Sequence, residues 1–391
     1  MRVLMACLQF PIEPGRSYMT TELAQALVAA GHEVEVLVID WDAAPGAREP
    51  CLVWNGVRVV RCTPRSVDGL GGLVRKASKF LLTGRRAARM ARDRFDLPSF
   101  DAFIAWSPAL AIAPLVGMAS RAGIPRRLLF IWDFFPDHHR EIGVMPGGPP
   151  YWLARAWEQR LMDGFTVLLC TLSQNADYLR RRFWVRPGQA VRVTPIWSDV
   201  APVPAADRSA VRRRHGLPED RPIAVFGGQL VEGRGFEQML AAAAIGRETG
   251  APPVFLFVGD GRLAPMLRAS VQDNVLWRPA MTREAYLELL GACDVGMVAT
   301  VPGVTSFTIP SKTLDYLRVG LPVVAAVEPG SEFSALLERY GIGRAVAFAD
   351  ARGFLDAVEA LAAGPRVAAA AQACLEEVFH VRHTVAAVLE P

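Results

Sequence analysis

Strand-like and helix-like segments alternate along this chain in two series, parted by a proline-rich stretch at its midpoint. The first series opens with RVLMACL, an apolar run suited to a buried strand. Ser17 to Ala30 then shows helical apolar spacing, Gly31 stops the helix, and a second strand runs from His32 to Ile39. A hairpin around Asn55-Gly56, a basic helix, and strands at AFIAW (102–106), RLLFIWD (127–133) and TVLLCTL (166–172) follow. The second series begins at PIAVFGGQL (222–230). It continues through strands at VFLFVGD, NVLW, DVGMVA and PVVAAV, with helices predicted over 235–247, 263–270, 283–291 and 311–318. Such alternation requires parallel sheets covered by helices on both faces. The segment 195–209, with three prolines and no periodicity, reads as the linker between two doubly wound domains of similar size. Ligands in such sheets bind beyond the carboxyl ends of the strands. A cleft between two facing sheets is therefore the expected active site.

The charge pattern narrows the function. Residues 75–94 hold eight Lys/Arg against one Asp, a local +7 in a chain of net +4, so the remainder sums to −3. A single basic patch without a recognition motif argues against nucleic acid. Leu70, Leu73, Val74, Ala77, Phe80 and Leu81 recur there at helical spacing, interleaved with Arg75, Lys76 and Lys79; Arg85, Arg86, Arg89, Arg92 and Arg94 follow. A basic amphipathic segment of this kind either lies against an anionic membrane or packs on the core with a solvated face. The longest uncharged apolar stretch, 106–120, is broken by Pro108, Pro114 and Gly117, so no membrane span is expected. With no charged-then-apolar leader at the start, the expected place is the cytoplasm, at most at the inner face of the cell membrane. Six scattered cysteines show no C-x-x-C spacing, and neither a disulfide framework nor a zinc site is expected.

The strongest chemical signal is VPGVTSFTIPSKTLDYLRVGLPVVAAV (301–327). A Gly/Ser/Thr loop ends at Thr308, Pro310 favours a helix start, and the free N–H groups of that start suit an anion such as a diphosphate. The chain has 40 arginines and three lysines, and Lys312 is the only lysine outside the basic patch. It stands in the first helical turn, where a cation is unfavourable without an anion. Asp315, one turn on, is placed to accept ribose hydroxyls. A second loop, FGGQLVEGRGFEQML (226–240), sets Gly228, Gln229 and Arg234 after a strand, with Arg234 as a diphosphate clamp. A third, VGDGR (258–262), brings Gly259. Asp133, His138 and His139 follow a buried strand and are expected to face the cleft. Asp40-Trp41-Asp42 forms a D-x-D, the pattern that binds a divalent ion, but after a second strand it reads as a surface turn.

Taken in order, GHEVEVLVI, FGGQL, EGRG, FVGDG and PSKTLDYLRVGLPVVA resemble the retaining nucleotide-sugar glycosyltransferases of the GT-B fold. DFFPDHHREIG (133–143) is similar to the DLWP-type segment of members that build bacterial surface polysaccharides. The resemblance implies two Rossmann-like domains facing across a cleft: an acceptor-binding domain over 1–198 and a donor-binding domain over 199–372. It further implies a C-terminal helix over 373–391 that crosses back to the first domain. Of the family's Glu-x7-Glu pair the second acid corresponds to Asp315 and the first to Phe307. The backbone of 304–308, with Thr305, Ser306 and Thr308, is then expected to serve the sugar. Gln229 and Arg234 stand for an Arg-then-Lys pair, Lys312 supplies the lost charge, and Gly15 marks the first loop. The implied reaction moves a sugar from a UDP- or GDP-sugar to a lipid-linked or other glycan hydroxyl. It needs no metal and no cofactor beyond the nucleotide-sugar substrate. A nucleotide-sugar epimerase of the same fold and a non-catalytic binding partner are the alternatives.

Overall fold

A computed structural model describes the chain apart from residues 14–16, 42, 44–50, 65–71, 108–109, 199, 202, 206, 249–251, 271, 301–308, 329 and 391, and apart from the side chains of 72–79 and 110. Gly15, Ser306, Phe307 and Thr308 lie outside the described residues, as do Asp42 and the start of the basic segment. The chain divides into two compact units, one from Met1 to Pro195 with Val381–Pro391, the other holding most of the residues between.

In the first unit the strands are β1 (Arg2–Cys7), β2 (Glu33–Ile39), β3 (Cys51–Trp54), β4 (Val57–Cys62), β5 (Ala102–Ser107), β6 (Arg126–Ile131), β7 (Val167–Cys170) and β8 (Ala190–Val193). They form one sheet in the order β3-β4-β2-β1-β5-β6-β7-β8. All pairs are parallel except β3 with β4, the hairpin whose turn places Asn55 at φ 47° and Gly56 at φ 80°. The register sets Cys51 opposite Val60, and all six cysteines are free thiols. Helices α1 (Met19–Ala29), α2 (Gly72–Arg94), α3 (Ala113–Arg121), α4 (Asp137–Glu141), α5 (Pro149–Met162) and α6 (Ser173–Arg182) connect the strands. A core of Leu4, Leu37, Phe103, Leu115, Leu129 and Phe165 lies under them.

The second unit holds α7 (Arg208–Arg214), β9 (Ile223–Gly227), α8 (Phe236–Gly246), β10 (Val254–Val258), α9 (Ala264–Arg268), β11 (Val275–Arg278), α10 (Arg283–Gly291), β12 (Val295–Ala299), α11 (Lys312–Arg318), β13 (Val323–Ala326), α12 (Glu332–Tyr340), β14 (Gly343–Val346), α13 (Ala351–Ala363) and α14 (Ala368–Cys374). Its strands run in the order β11-β10-β9-β12-β13-β14, parallel throughout. The order reverses at β9, whose neighbours are β10 and β12. Such a reversal is the switch point at which the carboxyl edge of a doubly wound sheet takes its ligands.

Two boundaries differ from the sequence reading. The stretch expected as a linker starts as core: Trp197 is buried, and Ser198 N–H donates to Phe379 O at 2.9 Å within the second unit. The division therefore falls at Pro195/Ile196 rather than 198/199. The single C-terminal helix expected over 373–391 is broken in two. After α14 a widened turn, Leu375–Phe379, runs to His380, whose extended backbone (ψ 132°) breaks the helix before α15 (Val381–Leu389). Only α15 joins the first unit, where it packs on α1. Arg126 Nη1 donates to Leu389 O at 2.8 Å, and Arg192 pairs with Glu390 at 3.3 Å.

One buried acid in the first unit gives a pH-dependent expectation. Glu158 of α5 has no exposed surface and shares a hydrogen bond with Ser107 Oγ at the end of β5; its second oxygen, Oε2, has no partner among the described residues. Burial pushes its carboxyl up to about 7, against a partial lowering by Ser107. The folded state thus holds a proton that the unfolded chain releases near the ordinary glutamate value. The stabilisation is complete below that value and is lost as pH rises through about 7, amounting to about 3 kcal/mol. Melting temperatures measured between pH 5 and 8 should fall in the wild type and flatten in Glu158→Gln. An unchanged slope in the variant would assign the pH dependence to another group.

Candidate active site

At the carboxyl edge of the second sheet the loops meet backbone to backbone, and glycine is what permits it. The N–H of Gly227, the last residue of β9, donates to Tyr316 Oη at 3.2 Å, and that hydroxyl donates to Met297 O at 3.2 Å. A Cβ on Gly227 would fall 1.8 Å from Tyr286 Oη. Gly259, after β10, has φ +140°, and a Cβ there would lie 1.9 Å from the carbonyl oxygen of Gly228. Only glycine meets both demands, the left-handed backbone and the absent side chain. The edge that results is lined by main chain, with Gly228 and Gln229 exposed at the end of β9.

Two cations stand over this edge. Lys312, the first residue of α11, places Nζ 4.3 Å from the centre of the buried Phe226 ring. Its Cε is 3.8 Å from where a side chain on Gly228 would begin. The aromatic face is the ammonium's only partner among the described residues. Burial first and repulsion from Arg234 second bring its pKa down to about 7, with Asp315 offsetting part of the shift. Arg234 is exposed between Gly233 and Gly235, which take φ of 80° and 65°, and pairs with no acid among the described residues. Two like charges close enough to destabilise one another, offset only in part by Asp315, stand at this edge.

Asp315 is already engaged. Arg283 of α10 grips its carboxylate with both terminal nitrogens, at 2.8 and 3.4 Å. Burial raises its pKa, and Arg283 counters. The acid expected to meet a ribose thus arrives at the edge already oriented by an arginine. Gly228, Gln229, Arg234, Gly259, Lys312 and Asp315 all belong to this one edge. The sequence reading missed Phe226, Tyr316 and Arg283; their contribution depends on which strand neighbours which.

Asp133, His138 and His139 belong to the first unit. Asp133 follows β6, and its charge helps burial and Cys7 to lift the Tyr18 phenol to about 12. The Tyr18 ring meets Trp132 edge-on at 6.0 Å. His138 and His139 lie on α4, with the His139 ring 5.2 Å from that of Phe135. The anchor of this segment is Asp137, which is buried. Tyr151 Oη and Tyr178 Oη each donate to it at 2.7 Å, Arg155 Nη1 at 2.8 and 2.9 Å, and Arg182 Nε at 3.2 Å. Burial opposes its ionisation, but the two hydroxyls and Arg155 prevail and hold the carboxylate below its usual pKa. A signal for it was present: Tyr151/Arg155 and Tyr178/Arg182 repeat the Tyr-x3-Arg spacing that puts both groups on one helix face. Asp40 of the D-x-D pairs with Arg61 at 2.9 Å, and no metal-ligating cluster occurs among the described residues. None of the described helices is long and apolar enough to cross a membrane.

Residues 15–197 match the Glycosyl transferase 4-like domain. WcaI of Escherichia coli K12, assigned to colanic acid biosynthesis as a glycosyl transferase, is 27% identical over 379 residues, covering 89% of this chain and 87% of its own. Among solved structures, sucrose-phosphate synthase of Thermosynechococcus elongatus superposes with a TM-score of 0.68 at 16% identity, over 97% of this chain and 95% of its own. HepE of Anabaena, solved in complex with UDP and glucose, gives 0.68 at 13% identity over 99% and 98%. Two parallel-sheet units, a glycosyl transferase domain in the first half and a glycosyltransferase relative along almost the whole chain lead to one conclusion: this protein is a sugar-transferring enzyme of the GT-B fold.

Proposed function

We propose that the enzyme moves a sugar, with retention of anomeric configuration, from a UDP- or GDP-sugar to a hydroxyl of a lipid-linked or surface-glycan acceptor. The observation that carries this reading is the pair Lys312 and Arg234, two cations only partly offset by Asp315 over a glycine-lined edge. In the transfer the anomeric carbon loses its bond to the diphosphate oxygen and gains one to the acceptor oxygen. The acceptor proton passes to a phosphate oxygen on the same face, and the nucleoside diphosphate departs. Negative charge grows on the leaving group, and preorganised cations stabilise it more in the transition state than in the ground state. Lys312 takes up a proton as the diphosphate arrives, and its attraction strengthens when the charge develops. Asp133, His138 and His139 are assigned to the acceptor side. The surface-glycan acceptor is supported by the colanic acid role given to WcaI, and the UDP donor by the ligand bound to HepE.

Incubation with a panel of UDP- and GDP-sugars tests the reading. Slow release of free sugar and nucleoside diphosphate, with the released sugar first appearing in the donor's anomeric configuration by NMR, is the expected result. Inversion would discard retention, and a changed sugar still attached to its nucleotide would make the enzyme an epimerase.

A further inference from the structure

The first unit holds a second concentration of positive charge, and its geometry is more specific than a basic helix face. Arg85, Arg89 and Arg92 of α2 stand at i, i+4 and i+7, one stripe of the helix. Arg121 of α3 faces them across a groove of about 540 Å³, floored by Ala88 and Gly117 among others. A side chain at Gly117 would meet the Arg121 guanidinium at 3.9 Å, so the glycine leaves the room that Arg121 uses. The helices can approach because Gly84 of α2 packs on the backbone of Ala111, where a Cβ would sit 2.5 Å from the carbonyl oxygen. Among the described residues none of the four arginines has an ion pair or hydrogen bond. Other arginines of the unit are paired, among them Arg58 with Glu35 at 2.7 Å, Arg61 with Asp40 at 2.9 Å and Arg155 with Asp137 at 2.8 Å.

The position separates this groove from any donor-type site. Both helices return antiparallel to their strands, and Arg92 and Arg121 lie where α2 and α3 lead into the amino ends of β5 and β6. Nucleotide sites of doubly wound sheets lie at the opposite, carboxyl edge. Four guanidinium forks lining one groove supply donors of the kind that bind phosphate oxygens. The small apolar floor offers no acid to balance them. We propose that this groove is a phosphate-binding site that docks the first unit onto the headgroups of an anionic phospholipid. The groove thus selects Arg85, Arg89 and Arg92 from the basic segment, adds Arg121, and leaves out Arg86 and Arg94. The proposal does not depend on the donor-site reading.

Co-sedimentation of the full chain with phosphatidylcholine vesicles, with and without phosphatidylglycerol, reads it out. Binding is expected only with the anionic lipid and at low salt. Each arginine near such a surface is worth about fivefold in partitioning, so the triple variant Arg85→Gln, Arg89→Gln, Arg121→Gln should lose on the order of a hundredfold. Gly117→Leu fills the groove and leaves the charge unchanged; it should weaken binding several-fold. Arg94→Gln, which removes one charge from the same helix outside the groove, should stay within about twofold of wild type. Melting curves show whether the variants are folded, and among the described residues none of these arginines has a partner to lose. Equal losses in Arg94→Gln and Arg89→Gln would show diffuse attraction and overturn the groove. Full binding by the triple or the filled variant would overturn it too. Protection of the wild type by inorganic diphosphate, without any binding to anionic vesicles, would make the groove a soluble-anion site and overturn the lipid assignment.

Discussion

Lys312→Ala is expected to lower kcat for nucleotide-sugar turnover about 10²–10³-fold, the usual cost of removing one preorganised group from a developing anion. KM should rise less, because the interaction grows as the leaving group gains charge. Arg234→Ala should act in the same direction but not additively. Arg234 is one of the groups that depress the Lys312 ammonium, so its removal leaves Lys312 more fully charged near neutral pH. A double-mutant cycle on kcat/KM would then show the pair losing less than the sum of the single losses. The fold should respond the opposite way. Lys312 is held over Phe226 without an anion, so Lys312→Met should raise the melting temperature of the ligand-free enzyme while abolishing turnover. A Met variant that melts below wild type would mean the ammonium is stabilised by something other than a bound anion.

Asp137→Ala is expected to cost the first unit about 3–5 kcal/mol, the penalty for deleting one partner of a buried charge pair. Arg155 would lose its carboxylate in a largely buried place, and Tyr151 and Tyr178 would lose their acceptor. For a unit of this size the loss corresponds to a drop of roughly 10 °C in its melting transition. Tyr151→Phe and Tyr178→Phe should each cost about 1 kcal/mol, since each removes one hydrogen bond and leaves the ion pairs in place. The consequence extends to function through α4, which carries His138 and His139 directly after Asp137. Faster proteolytic cleavage around 133–145 in the alanine variant, with the second unit's melting unchanged, is the pattern to look for. Wild-type stability in Asp137→Ala would show that its four donors are satisfied elsewhere.

The alternation of strands and helices carried most of the fold. A parallel sheet imposes continuous apolar runs and helical returns, and both are visible in a single sequence. The placement of Lys312 was legible for a related reason: a lone lysine in an arginine-rich chain, at a helix start where its charge is unfavourable, has no structural motive. What stayed hidden required neighbours from elsewhere in the chain. Asp137 is fixed by residues 14 to 45 positions away on two other helices, and its local sequence gave no preference for it over Asp133. Arg283 reaches Asp315 from the preceding helix of the sheet, a contact set by the strand order. Arg121 joins the α2 arginines only because Gly84 lets α3 approach. The proline-rich segment misled at its start, since Trp197 and Ser198 have loop-like neighbours and a core position. The break at His380 was masked by helical apolar spacing that continues on both sides of it.

Proton uptake on nucleotide binding tests the diphosphate site most directly. Calorimetric titration of UDP and of GDP at pH 8, in two buffers of different ionisation enthalpy, measures it. With the free ammonium near 7, wild type should take up close to one proton as the diphosphate restores the charge of Lys312. Its affinity should fall as pH rises through about 7. Lys312→Ala should bind far more weakly and take up none. Equal affinity and equal uptake in wild type and Lys312→Ala would contradict the site.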